Sequence, residues 1–150
     1  MEKRFNPRVS GVIFRQRHVL LSRGRSDAFW ALPGGRIELG EPSDRALRRE
    51  IAEELGAEDA KIDRLLFVVE NRFAHGRTRF HEIGFYYRVA LPEDSCPLRP
   101  DEFPGAEPDL ILRWFALDAV AGLDVRPAFL RRRLAALPNG IEHLQVDEWA

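Results

Sequence analysis

Apolar residues recur along this chain with two different periods. Leu47, Ile51 and Leu55 return every four residues, which predicts an amphipathic helix with one apolar stripe. Ser43 and Asp44 are start signals for that helix, and Gly56 is its stop. Short β-rich runs surround it. Val9 to Phe14 and His18 to Ser22 read as strands about the turn Arg15-Gln16-Arg17, and Ala60 to Val69 reads as another. Asn71 to Arg79 reads as a polar connection around Gly76. Phe80 to Leu91 carries the strongest strand pattern. Its alternation puts Phe80, Glu82, Gly84, Tyr86 and Arg88 on one face, and His81, Ile83, Phe85, Tyr87 and Val89 on the other, the expected core side. The prolines at 92, 97, 100, 104 and 108 mark a loop. Leu110 to Leu117 predicts a strand, and Asp118 can cap a short helix from Ala119 to Leu123. A helix from Ala128 to Leu137 follows Pro127, then a last strand from Ile141 to Val146. Strands interleaved with two main helices predict an α/β fold, a mixed sheet sandwiched by helices, in one domain over residues 1–150.

The helix from Ser43 carries charges that oppose its own stability. At 100° per residue, Glu50, Glu53 and Glu54 share an arc beside the apolar stripe. Like charges at these spacings cost roughly 0.2–0.5 kcal/mol per pair. Glu53 and Glu54 also sit in the last turn, where the helix dipole favours cations. A cluster that breaks local rules points to a functional site. Carboxylates in this arrangement suit a hard divalent cation, which takes oxygen ligands and substrate phosphates together; a solvated acidic face is the competing reading.

The wider spacing decides between them. Gly35 is followed after five residues by Glu41, and after seven more by Arg49-Glu50-Ile51-Ala52-Glu53-Glu54-Leu55-Gly56-Ala57. This resembles the Nudix box, GX5EX7REUXEEXGU with U an apolar aliphatic residue, of the Nudix hydrolase family. All of its fixed letters are present. If each matched by chance about once in 15 positions, the set would arise on the order of once in 10⁸ windows. Ala57 is smaller than the residue usual at the last U position, a departure that concerns packing behind the helix.

The resemblance implies an α/β/α sandwich in which the box forms a loop–helix–loop. It also implies a Mg²⁺ cofactor, with Mn²⁺ as the alternative, and hydrolysis of a pyrophosphate bond in a nucleoside diphosphate linked to another moiety. Carried over residue by residue, it makes Glu53 and Glu54 metal ligands, with Glu50 a third ligand or the base. Glu41 supports metal or water, Arg49 orients the carboxylates, and the carbonyl of Gly34 is a further ligand. A ligand from outside the box is common in the family; Glu107 is the first candidate and Glu82 the second. For substrate contact, Arg23 and Arg25 suit phosphate oxygens, against a reading as loop charges. Phe73, Phe85 and Phe129 can stack a base, against a reading as core. Trp30 and Leu32 read as core anchors. The Pro and Tyr that mark some ADP-ribose and dinucleoside-polyphosphate hydrolases are absent between Glu58 and His81. This favours a nucleoside triphosphate, oxidised or not, with ADP-ribose, a nucleotide sugar or a dinucleoside polyphosphate as alternatives. Some Nudix-like domains bind nucleotides without turnover, but such modules often lose box carboxylates that this chain retains.

Composition narrows the setting. A length of 150 residues with 45% hydrophobic content suits one globular core. The net charge of −1 gives no electrostatic case for nucleic acid or an anionic membrane as partner. The single cysteine, Cys96, excludes an internal disulfide. No signal-like or membrane-spanning apolar run is visible, so a cytoplasmic protein is expected. Family precedent for pairing through an edge strand makes a homodimer the assembly to look for.

Overall fold

The computed structural model describes residues 1–149. Its strands are β1 (Glu2–Arg15), β2 (His18–Gly24), β3 (Gly34–Arg36), β4 (Lys61–His75), β5 (Thr78–Ala90), β6 (Phe103–Pro104), β7 (Leu110–Ala116) and β8 (Glu142–Glu148). The helices are α1 (Ser43–Leu55), a 3-10 helix (Leu117–Gly122) and the single turn α2 (Leu130–Arg133). The strands form one mixed sheet in the order β6-β7-β2-β1-β5-β4-β8, with β3 paired to β1. The β1–β5 and β4–β8 pairs are parallel and the others antiparallel.

Two apolar clusters cover opposite faces of this sheet. On one face the stripe of α1, with Ala46, Leu47 and Ile51, meets Val9 and Ile13 of β1, Val89 of β5 and Trp114 of β7. Ala57 belongs to the same cluster and is buried, so its small side chain is accommodated. On the other face Val12, Phe67 and Tyr86 pack against Val120, Val125, Leu130 and Leu134 from the 3-10 and α2 region. The α/β sandwich expected from the pattern is therefore present, and Leu32 is buried as expected while Trp30 packs edge-on against Phe115 at 4.9 Å.

Helix α1 begins at Ser43, but the Ser43 hydroxyl does not cap it; it bonds the Tyr87 hydroxyl at 2.7 Å. Gly56 ends the helix in the left-handed region (φ 69°) and donates its N–H to Ala52 at 3.0 Å, the conformation glycine adopts without steric cost.

Several expectations need correction. The segment 71–79 is not a polar connection. Strand β4 runs on to His75 and β5 starts at Thr78, leaving a turn at Gly76 and Arg77. Phe73 and Phe80 are opposite each other in this hairpin and stack at 5.0 Å, 13° from parallel. Strand β1 begins at Glu2 rather than Val9, because Glu2 to Ile13 pair with Thr78 to Val89. The Phe80-to-Tyr86 face is not the outer side of the sheet, since Tyr86 is 4% exposed. The expected helix from Ala128 to Leu137 is one α-turn flanked by i→i+3 turns. Burying Leu130 and Leu134 needs only that turn, and Arg133 is drawn to Glu142 at 2.7 and 3.0 Å.

Ile51 is fully buried where α1 meets the sheet. Ile51→Ala should cost about 2–5 kcal/mol of unfolding free energy, read from denaturant midpoints with an unchanged slope.

Candidate active site

The polypeptide around Gly34 and Gly35 passes close to both β1 and α1. A Cβ at Gly34 would overlap the Val9 carbonyl oxygen, and one at Gly35 would overlap the Glu50 carboxyl. These glycines let β3 lie against β1, with Gly34 opposite Ser10, Gly35 opposite Val9 and Arg36 opposite Arg8. They also let the Glu50 side chain pack directly on the main chain.

Three carboxylates converge there. Glu50, Glu54 and Glu107 each offer an oxygen within 4.8 Å of the others'. Glu54 is buried, Glu50 half-buried and Glu107 exposed. Glu107 reaches the group because its loop is fastened to the end of α1: Ala106 donates its N–H to the Glu54 carbonyl at 2.7 Å. Glu53, one residue before Glu54, points elsewhere; half its side chain is exposed, and its contact is Arg49 at 3.4 Å.

Arg49 lies at the outer side of the group. It grips Glu41 through two bonds of 2.7 and 2.9 Å, and donates to Glu50 at 3.0 Å and to the Arg36 carbonyl at 3.1 Å. The bidentate bond to Arg49, helped by the Glu38 main chain, lowers the Glu41 carboxyl to about 2. The inner carboxylates shift the other way. Burial, then the charge of Glu50, pushes Glu54 up to about 8, against smaller opposing effects of Arg8 and the Gly34 main chain. Burial likewise raises Glu50, with Arg49 opposing.

This donor set fits a hard divalent cation. A buried carboxylate beside two others is costly unless a cation or a proton neutralises it, and oxygen-only ligands are what Mg²⁺ and Mn²⁺ take. Glu50, Glu54 and Glu107 are the residues that would hold the ion, and Glu41, already bound to arginine, is the least suited. Gly34, the first residue of β3, lies against this group, its main chain hydrogen-bonded to the Glu54 carboxyl.

A cavity of about 400 Å³ opens on the opposite face of the sheet. Its floor is laid out by strand register. Arg4, Phe80 and Phe73 are neighbours in one row, Asn6, Glu82 and Asn71 in the next, and Arg8 and Gly84 in a third. Phe29, Arg126 and Pro127 help to wall it, and Arg36 reaches it from β3. Arg8 and Arg36 therefore join the cavity to the carboxylates: Arg8 acts on Glu54, and the Arg36 carbonyl holds Arg49.

Of the residues singled out for substrate contact or as an outside ligand, Phe73 and Glu82 line this cavity. Glu82 is consequently away from the carboxylate group. Arg23 stacks on Trp30 at 5.2 Å and bonds Glu102 at 2.8 Å, and Arg25 faces Asp109 at 3.9 Å. Phe129 packs on Phe67 at 5.4 Å and Tyr86 at 5.7 Å, and Phe85 packs on the α1 side. Sequence reasoning missed Arg4, Asn6, Arg8, Arg36 and Asn71. The signal for the first three was the every-second-residue polar series running into Ser10, the mark of a strand with a polar inner face.

The fold and this geometry define an α/β protein with a carboxylate cluster joined by arginines to a cavity. The chain belongs to the NUDIX domain family, whose model matches residues 4–137. It is 35% identical over 84 residues to the putative ADP-ribose pyrophosphatase YjhB of Bacillus subtilis (strain 168), covering 55% of this chain and 38% of that protein. It is 33% identical over 99 residues to an RNA pyrophosphohydrolase of Wolbachia pipientis subsp. Culex pipiens (strain wPip), covering 65% and 51%. The chain thus spans between 38% and 51% of the length of these curated relatives. Among solved structures, a UDP-X diphosphatase superposes with a TM-score of 0.65 at 26% identity, over 93% of this chain and 66% of that one. A NUDIX hydrolase from Nitrosomonas europaea shares the fold, with a TM-score of 0.66 at 23% identity over 95% and 79%. Among the described residues, no helix is long and apolar enough to cross a membrane.

The raised Glu54 carboxyl has a consequence for metal-free protein. Between its ordinary value of 4.5 and about 8, the folded state holds a proton that the unfolded chain has released. Stability then falls as pH rises through that window. In chelator, Glu54→Gln should remove this fall and melt several degrees above wild type at the alkaline end, and added Mg²⁺ should raise the wild type more than the variant. Thermal melts across the pH range, with and without Mg²⁺, test both. Gly35→Ala should displace Glu50 and weaken Mg²⁺ binding while α1 stays folded, as calorimetry and circular dichroism would show.

Proposed function

We propose that this protein is a Mg²⁺-dependent hydrolase that cleaves the pyrophosphate bond of a nucleoside diphosphate derivative. The observation that carries this is the convergence of Glu50, Glu54 and Glu107, linked through Arg8 to a cavity whose lining also includes Arg4, Arg36 and Arg126. Anionic and cationic groups set side by side suit a phosphate chain that must meet both a cation and arginines.

The bound cation would neutralise phosphate charge and lower the pKa of water. The protein's own residues do the rest. Arg8 and Arg36 bind phosphate oxygens at the mouth of the cavity, which fixes the anhydride against the carboxylates. Arg49 holds Glu41 and Glu50 in place. Water oxygen bonds to phosphorus, the bridging P–O bond breaks, and the proton passes to a carboxylate. Glu50 is the candidate base, because it stands at the three-carboxylate group and is only half-buried; Glu53, whose exposed side chain contacts Arg49, is the other.

The preferred substrate is a nucleoside triphosphate, ordinary or oxidised, giving nucleoside monophosphate and pyrophosphate. The identity with YjhB favours ADP-ribose as a second reading, with AMP and ribose 5-phosphate as products. The test is a panel of nucleoside triphosphates, ADP-ribose, nucleotide sugars, dinucleoside polyphosphates and 5′-triphosphate RNA with Mg²⁺, products resolved by chromatography. Glu54→Gln should lower turnover on the order of 10²-fold or more. Equal nucleotide binding by wild type and variant, with no product from either, would mark a binding module instead.

A further inference from the structure

The floor of the cavity carries two groups that the chain itself leaves unused. Asn71 is 8% exposed, and its Oδ1 is buried without a hydrogen-bond partner. Glu82 makes no hydrogen bond or ion pair among the described residues. The two are direct cross-strand partners of β4 and β5, which puts their Cβ atoms about 4.5–5.5 Å apart. Both line the cavity. An unpartnered buried amide oxygen is costly, and a carboxylate in a cavity otherwise rich in arginine is the wrong sign for phosphate. Next to them, Phe73 and Phe80 close one side with aromatic surface, the kind of surface on which bases stack.

We infer that Asn71 and Glu82 read the base of a nucleotide and select guanine. This rests on the nucleotide reading of the site given above. Two adjacent acceptors match an edge with two adjacent N–H donors. Guanine has one, its N1–H and 2-amino group side by side. Adenine and cytosine each present one donor beside an acceptor, uracil a single N–H between two carbonyls, and hypoxanthine N1–H without the amino group. A carboxylate can take both guanine donors at once, or one with Asn71 Oδ1 taking the other. A site built to pair with N–H groups discriminates strongly against a ligand that lacks them, because its own polar groups are then left bare.

The test uses nucleoside monophosphates, which bind but contain no anhydride to cleave. GMP, IMP, AMP, CMP and UMP are titrated by calorimetry into the full chain with Mg²⁺. GMP should bind about 10-fold or more tighter than each of the others. Glu82→Gln and Asn71→Leu should each erase that preference while leaving AMP affinity within about threefold. Glu82→Gln is isosteric at a half-buried position, so it decides the matter if melting shows that Asn71→Leu is misfolded. Equal binding of the five, no binding of any, or a parallel loss for all five in Glu82→Gln would overturn the inference. Selective GMP binding by a protein that hydrolyses no nucleotide would uphold it and sink the enzymatic reading. Unselective binding by an active hydrolase would do the reverse.

Discussion

Bringing Glu50, Glu54 and Glu107 together is the constraint on which the site depends, because repulsion and desolvation both oppose it. Packing enforces it. Glu54 cannot swing out to solvent without moving α1, whose Leu47 and Ile51 are fully buried against the sheet. Glu107 is held because its loop is bonded to the Glu54 carbonyl. Arg49 compensates from one side only, and its strongest partner is Glu41 rather than the inner carboxylates. The hydrophobic face of the helix therefore sustains an electrostatic arrangement that its polar residues would not hold by themselves.

Strand β1 connects that arrangement to the cavity. Its odd-numbered residues Val9 and Ile13 face α1, while Asn6, Arg8 and Ser10 face the cavity. One strand thus serves as core on one side and as the lining of a cavity on the other. The register with β3 sets Arg8 beside Arg36, so the cationic groups end up at the same edge as the carboxylates.

The same duality explains what could be read from the sequence. The box was legible because its chemistry needs fixed spacing: Gly35, Glu41, Arg49 and the glutamates are all within one loop and one helix. The strands built from Val, Ile, Leu and aromatic residues were legible from their periodicity. The hairpin end of β4 and β5 and the first half of β1 were not, because their inner face lines a polar cavity instead of a core. Arg4, Asn6, Arg72 and Arg79 look like loop residues to any rule based on burial. What places them in strands is pairing of Glu2–Ile13 with Thr78–Val89, and for Arg72 pairing with His81 and Asp147, mostly contacts distant in sequence. Glu107 was accessible only as a carboxylate ahead of a strand; its approach to Glu54 depends on the loop bond from Ala106.

Charge is also partitioned within the helix by single-residue steps. Glu53 and Glu54 are adjacent, yet the 100° between them sends one to solvent and the other inward. Glu50 lies one turn before Glu54 and so shares its direction, and the close approach of Gly35 keeps it there. Two carboxylates of one sequence motif are thereby given different environments: Glu54 is raised to about 8 by burial, while Glu53 stays in contact with water. The box thus puts the same residue type into both environments, and the packing of α1 decides which glutamate takes which.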